Sequence, residues 1–144
     1  MKKTFVAIIL VSFVLNLVWE NLEAPLYQSY QGFWSHFPLC LLGTFGDVAA
    51  IVIGYIVVGL VRKRANWLSN LKFGSLAVFF LFELVLAYLV EWYALSQKFW
   101  IYTSSMPDLF STRIGLLPLL QLGVIGITSV FIVKIGFKRI LDYL

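Results

Sequence analysis

Residues 73–95 read FGSLAVFFLFELVLAYLVEWYAL. A membrane-spanning helix needs about 20 mostly apolar residues, and this run supplies them. It also carries Glu83 and Glu91. A charge in hydrocarbon costs at least ~2.5–3.5 kcal/mol on insertion scales, so such residues normally face a bundle interior and serve a function. The run therefore predicts a buried helix with two carboxyls turned away from lipid.

Working outward, three more stretches have the same character: 4–22, 39–61 and 115–133. Of the 144 residues, 61% are hydrophobic and 12% charged. An ordinary soluble domain has about 25% charged residues, so that class is excluded. The reading is an all-α fold, an integral membrane four-helix bundle, with residues 1–144 as a single transmembrane domain. The apolar run of 4–22 follows Lys2 and Lys3 as a secretory signal would, but it continues to Trp19 without a small-residue cleavage site. It is read as an uncleaved helix.

Lys and Arg collect in cytoplasmic loops. Lys2 and Lys3 precede the first helix, Arg62, Lys63, Arg64 and Lys72 join the second to the third, and Lys134, Lys138 and Arg139 follow the fourth. The other side keeps only Lys98 and Arg113 of the eleven basic residues. Both termini are expected to be cytoplasmic, in a bacterial cytoplasmic membrane. The net charge of +4 then speaks for orientation and lipid contact, not for nucleic acid. Cys40 is the single cysteine, which excludes an internal disulfide.

The polar residues of the helices lie toward the opposite, outer side. By a rise of about 1.5 Å per residue, Asp47 is ~12 Å and Gln121 ~9 Å below the outer starts of their helices. Asn16, Glu20 and Glu23 share one stripe of helix 1, and Glu83, Ala87 and Glu91 share one face of helix 3. Asp47 sits on a strip of small residues, Gly43, Ala50 and Gly54, which lets helices approach closely. Helix 4 has its own seam in Gly115, Gly123 and Gly126. Trp19, Trp34, Trp92 and Trp100 crowd the outer side against Trp67 alone inside, more than a symmetric interfacial belt requires. The bland alternative is that carboxyls and amides only glue helices together, at about 1 kcal/mol per contact.

Expected catalytic residues are Asp47 or Glu83 as the proton donor, being deepest, with Glu20 or Glu91 as the base. Trp19, Trp100, Tyr102, Gln121 and Asn16 are expected to bind substrate. No cofactor is expected: a lone His36 beside Glu23 or Asp108 is a poor metal set, and Gly123-Val124-Ile125-Gly126 is packing, not a phosphate loop. The expected partners are the lipid bilayer and a lipophilic substrate, with a homo-oligomer or a partner membrane protein left open. A weak echo links Leu17-Val18-Trp19-Glu20 to Leu89-Val90-Glu91-Trp92, as in a parallel two-plus-two repeat.

Trp19-Glu20 with Pro25-Leu26-Tyr27, Gly46-Asp47, Glu91, Trp100-x-Tyr102, Met106-Pro107 and Gly115-Leu116-Leu117-Pro118-Leu119-Leu120-Gln121 together resemble a family of small bacterial four-helix membrane proteins without an assigned activity. More loosely, the intramembrane carboxyls, Trp100-Ile101-Tyr102 and the Pro118 helix are similar to membrane carotenoid cyclases and hydratases. Those families have more helices and a double-carboxylate stretch missing here. The resemblance implies a class of chemistry, proton addition and removal, and not a substrate; an isoprenoid is one candidate among lipophilic molecules. Three functions follow: an intramembrane acid–base enzyme, an accessory or scaffold subunit, and a small proton-coupled transporter working as an oligomer. An enzyme predicts an outward pocket around Asp47, Glu20 and Glu91. A transporter predicts a polar path past Glu83, and a scaffold predicts no pocket.

Overall fold

The computed structural model describes residues 2–142, with side chains through Gly136. Lys138 and Arg139 of the basic count lie outside the described side chains. Four long helices make up the described chain: α1 (Lys2–Glu23), α2 (Phe33–Val61), α3 (Phe73–Ser96) and α4 (Leu116–Asp142). All four are long and apolar enough to cross a membrane. Neighbours run antiparallel in a ring, α1 beside α2, α2 beside α3, α3 beside α4 and α4 beside α1. One end of the bundle carries Lys2, Arg62–Arg64 and Lys72 (the basic end). The other carries the two loops rich in Trp and Tyr (the aromatic end).

The helices are amphipathic in an inverted sense. On α1 the buried row is Thr4, Ile8, Ser12 and Asn16, while Val6, Leu10, Val14, Val18 and Leu22 are exposed. On α3 Ser75, Glu83 and Glu91 are buried and Leu81, Val85, Leu89 and Trp92 exposed. Each polar row faces the interior because i, i+4 positions share a helix face. Contiguous apolar surface of this extent is rare on proteins that face water.

Two boundaries differ from the sequence reading. Helix α2 starts at Phe33, so His36 and Pro38 are helical. Pro38 lies close enough to the helix start to forfeit one backbone bond without breaking the rod. Asp47 thus becomes the central residue of the 29-residue α2, deeper along its helix than a start at 39 implies. Helix α4 continues past 133 to Asp142, because nothing in 134–142 breaks it and Lys, Arg and Leu favour helix.

Two helix ends share one device. Arg64 N donates to Gly59 O at 2.9 Å and Lys63 N to Leu60 O at 3.0 Å, the paired bonds that close a helix with a left-handed residue. Phe99 N to Ala94 O and Lys98 N to Leu95 O repeat the arrangement after α3. Lysine occupies the left-handed position in both, with φ of 51° at Lys63 and 58° at Lys98. A side chain there costs roughly 1–2 kcal/mol, partly offset by a cation beside the negative helix terminus. Beyond α2 the chain folds back, and buried Trp67 pins it by donating from Nε1 to Tyr55 O at 3.0 Å.

The core toward the basic end is mostly apolar: Ile8, Ile51, Val58, Phe79 and Val130 are all fully buried, with Glu83 and Ser129 as fully buried polar exceptions. Gly126 lets α4 come close, since a Cβ there would lie 2.6 Å from a ring carbon of Phe79. Gly126→Ala should therefore lower stability by roughly 1–3 kcal/mol through overpacking. Gly46, with nothing within 4 Å of a Cβ, should accept alanine neutrally or gain up to about 1 kcal/mol of helix propensity. Thermal unfolding of both variants in detergent tests the contrast.

Candidate functional site

Toward the aromatic end a cavity of about 450 Å³ lies among the four helices. Glu20, Asp47 and Glu91 all line it, with Gln121 and Pro118 from α4 and Gly43, Gly46 and Ala50 from α2. The small residues beside Asp47 open this space. Tyr27, His36, Phe99 and Trp100 add aromatic wall toward the loops.

Gln121 is its structural centre. From α4, buried Nε2 donates toward Asp47 Oδ2 at 2.6 Å, Glu20 Oε1 at 3.1 Å and Asn16 Oδ1 at 3.1 Å. An amide has only two protons, so three oxygens compete for them and the nitrogen is saturated. Glu20 and Asp47 thus form a carboxyl pair held on one amide nitrogen in the wall between α1 and α2. Gly43 is what allows it, since a Cβ there would lie 2.9 Å from Glu20 Oε2.

Glu91 stands on the α3 side of the cavity. Tyr102 donates its hydroxyl to Glu91 Oε2 at 2.5 Å, and Trp100 Nε1 donates to the Tyr102 oxygen at 3.1 Å. A second group of the same composition closes the other loop. Glu23 Oε2 accepts from Trp19 Nε1 at 2.6 Å and its Oε1 from the Tyr27 hydroxyl at 3.1 Å. The two groups meet where the Tyr27 and Tyr102 rings approach to 5.0 Å. Backbone bonds from Gln28 N to Ile101 O (2.9 Å) and Thr103 N to Leu26 O (2.8 Å) fasten the loops together above the cavity. Burial pushes both tyrosine hydroxyls above the ordinary phenol range, helped by Glu23 beside Tyr27 and Glu91 beside Tyr102. Both remain donors at neutral pH.

The expected site residues divide. Glu20, Asp47, Glu91, Trp100 and Gln121 meet at the cavity. Tyr102 and Asn16 stand behind it, each bonded to a lining residue. Trp19 binds Glu23 instead of lining the cavity. Glu83 is fully buried, is absent from the lining, and has no hydrogen-bond partner on either oxygen. It packs where Gly54 leaves room, for a Cβ at Gly54 would collide with Glu83 Oε1.

The expected site residues leave out Tyr27, His36, Phe99 and Cys40, which also form the wall. The i, i+4, i+8 spacing of Trp19, Glu23 and Tyr27 is the available signal for one of them. His36 stacks near Tyr27 and Tyr30, at ring distances of 6.2 and 5.5 Å. Among the described residues no three His, Cys, Asp or Glu gather as a metal site would require.

Gln121→Leu should cost about 1–3 kcal/mol of stability, because it strands acceptors that a buried apolar side chain cannot serve. Gln121→Glu supplies no amide and should not restore the loss, which unfolding in detergent would show. The tyrosines set a pH dependence. Their folded forms favour the protonated hydroxyl, so that stabilisation is complete below the ordinary tyrosine pKa of about 10 and is lost as pH rises past it. Above that point stability should fall less steeply in Tyr102→Phe than in the parent, by up to about 1.4 kcal/mol per pH unit, which melting temperatures followed against pH would show. Compared with family models, curated proteins and solved structures, the chain matches none.

Proposed function

We propose that this chain is a multi-pass membrane enzyme, with both termini cytoplasmic in a bacterial inner membrane, that adds and removes protons on a lipophilic, alkene-bearing substrate of isoprenoid type. The observation that carries the reading is the cavity of about 450 Å³ onto which Glu20, Asp47 and Glu91 all open. Sites for small molecules typically measure about 300–1,000 Å³, with an apolar lining and a few convergent polar groups.

The chemistry divides between the walls. The Glu20–Asp47 pair gives its proton to one alkene carbon, and the electrons of the double bond form the new C–H bond. The adjacent carbon becomes cationic, facing the aromatic rings of Trp100, Phe99 and Tyr27, whose faces attract positive charge. Glu91 then takes a proton from a neighbouring carbon, and the electrons of that C–H bond make the new double bond. The product is an isomer of unchanged mass. Capture of the cation by water, with loss of a proton to Glu91, would give the hydrate instead. Exchange of protons with water at the aromatic end returns the carboxyls to their starting state. Gln121 positions the donor pair, and Tyr102 positions Glu91.

A scaffold subunit is the second reading, supported by the saturated bonds of Gln121 to Asn16, Glu20 and Asp47. Transport has less support, because fully buried Ile51, Val58, Phe79 and Val130 occupy most of the bundle between the cavity and the basic end, and the polar groups buried among them, Glu83 and Ser129, have no hydrogen-bond partner to link them into a path.

Asp47→Asn keeps the shape of the side chain and an acceptor for Gln121 while removing the acid. Mass spectrometry of lipid extracts from cells with and without the protein should reveal a species isomerised or shifted by one water. Cells carrying the Asp47→Asn variant should form it at least ~10²-fold more slowly, the lower range for general acid–base catalysis. No lipid difference between cells with and without the folded protein would favour the scaffold reading.

A further inference from the structure

A second cavity, of about 600 Å³, lies at the basic end between α1 and α2. Its walls are apolar: Phe5 of α1 faces Ile56 and Leu60 of α2, with Tyr55 behind. Its rim is cationic, formed by Lys2, Lys63 and Arg64. Among the residues that line it there is no acidic side chain. Ile56 and Leu60 are also exposed on the outside of the bundle, so the cavity opens sideways toward the surface that lipid would cover.

The rim is built, not incidental. The left-handed backbone at Lys63 turns the chain sharply at the end of α2 and brings Lys63 and Arg64 back over Gly59. Arg64 O and Ala65 Cα lie 3.4 and 3.7 Å from where a Gly59 Cβ would be. The bond from Trp67 to Tyr55 O holds the returning segment in place. The backbone carbonyls of Gly59 and Leu60 are bonded to Arg64 N and Lys63 N, which occupies acceptors that would otherwise repel an anion.

We propose that this cavity binds one anionic phospholipid, its phosphate held by Lys63, Arg64 and Lys2 and an acyl chain laid against Phe5, Ile56 and Leu60. The proposal rests on the membrane reading but not on the acid–base chemistry. A lipid is favoured as the source of the phosphate because apolar wall and cationic rim are continuous, and because the rim residues sit at the ends of α1 and α2, helices long and apolar enough to cross a membrane. Anionic lipids are attracted to basic segments in the cytoplasmic leaflet, which is where the charge asymmetry puts this end.

The full chain, reconstituted with equal parts of phosphatidylglycerol and phosphatidylcholine and then moved to detergent, should retain phosphatidylglycerol preferentially by native mass spectrometry. Lys63→Gly suits the left-handed position and should keep or raise the melting temperature while removing a rim charge. It and Arg64→Gln should each cut retention about fivefold, the effect of one basic residue near a membrane surface. Ile56→Trp should also reduce retention, by filling the acyl slot without altering charge. Lys72→Gln, at the same end but off the rim, should leave retention unchanged. Equal losses from Lys72→Gln and Lys63→Gly would overturn the site in favour of diffuse attraction. Displacement of the lipid by millimolar inorganic phosphate would overturn the acyl contribution, and parity of the two lipids in the parent protein would overturn both.

Discussion

A single amide nitrogen ties the aromatic half of the bundle together. Gln121 Nε2 is reached from α1 by Asn16 and Glu20 and from α2 by Asp47, so α1, α2 and α4 meet at one atom. In hydrocarbon there is no water to satisfy a polar group, and one without a partner inside the protein is costly. That constraint fixes the rotation of α1, α2 and α4 about their axes. A turn of any one of them would strand a carboxyl. The apolar half has no such anchor and relies on close packing around Phe79, made possible by Gly126.

Much of this is legible in the sequence because the bilayer imposes few solutions. The four helices follow from apolar run length, and the stripes Asn16–Glu20–Glu23 and Glu83–Ala87–Glu91 from helical periodicity. The meeting of Asp47, Glu20, Glu91 and Gln121 is anticipated by their one-sided placement. Pairing across helices cannot be read the same way. Periodicity assigns a residue to a face but does not say which face of another helix it meets, so it offers Trp19 to a substrate when Trp19 holds Glu23. The start of α2 is misplaced because Pro38 reads as a loop residue. Its harmlessness depends on how many turns precede it.

The faint echo between Leu17–Glu20 and Leu89–Trp92 takes a different form in three dimensions. Residue for residue the two segments do not serve alike. At the level of chemistry they do: α1 ends near Glu23 bound by a Trp and a Tyr, and Glu91 near the end of α3 is bound by Tyr102, itself bound by Trp100. Both rising helices thus deliver a carboxyl to a tyrosine of the loop that follows. The two tyrosines pack against each other and close the roof. The cavity owes its enclosure to this doubled arrangement, with two backbone bonds, Gln28 N to Ile101 O and Thr103 N to Leu26 O, joining the loops.

Glu83 shows where chemistry stops and structure begins. Its depth makes it look like a donor, yet depth alone does not connect a proton to a substrate. Its carboxyl is sealed between Gly54 and Phe79 with no partner on either oxygen. An ionised group in that setting would lack every compensation that makes buried charge tolerable, and neither cavity reaches it for a reacting atom to approach. Asp47 has what Glu83 lacks: a second carboxyl held on the same amide, a hydrogen bond from that amide that orients it, and open space in front. Among carboxyls in an apolar bundle, access and partnership separate a group able to do chemistry from one that is merely buried.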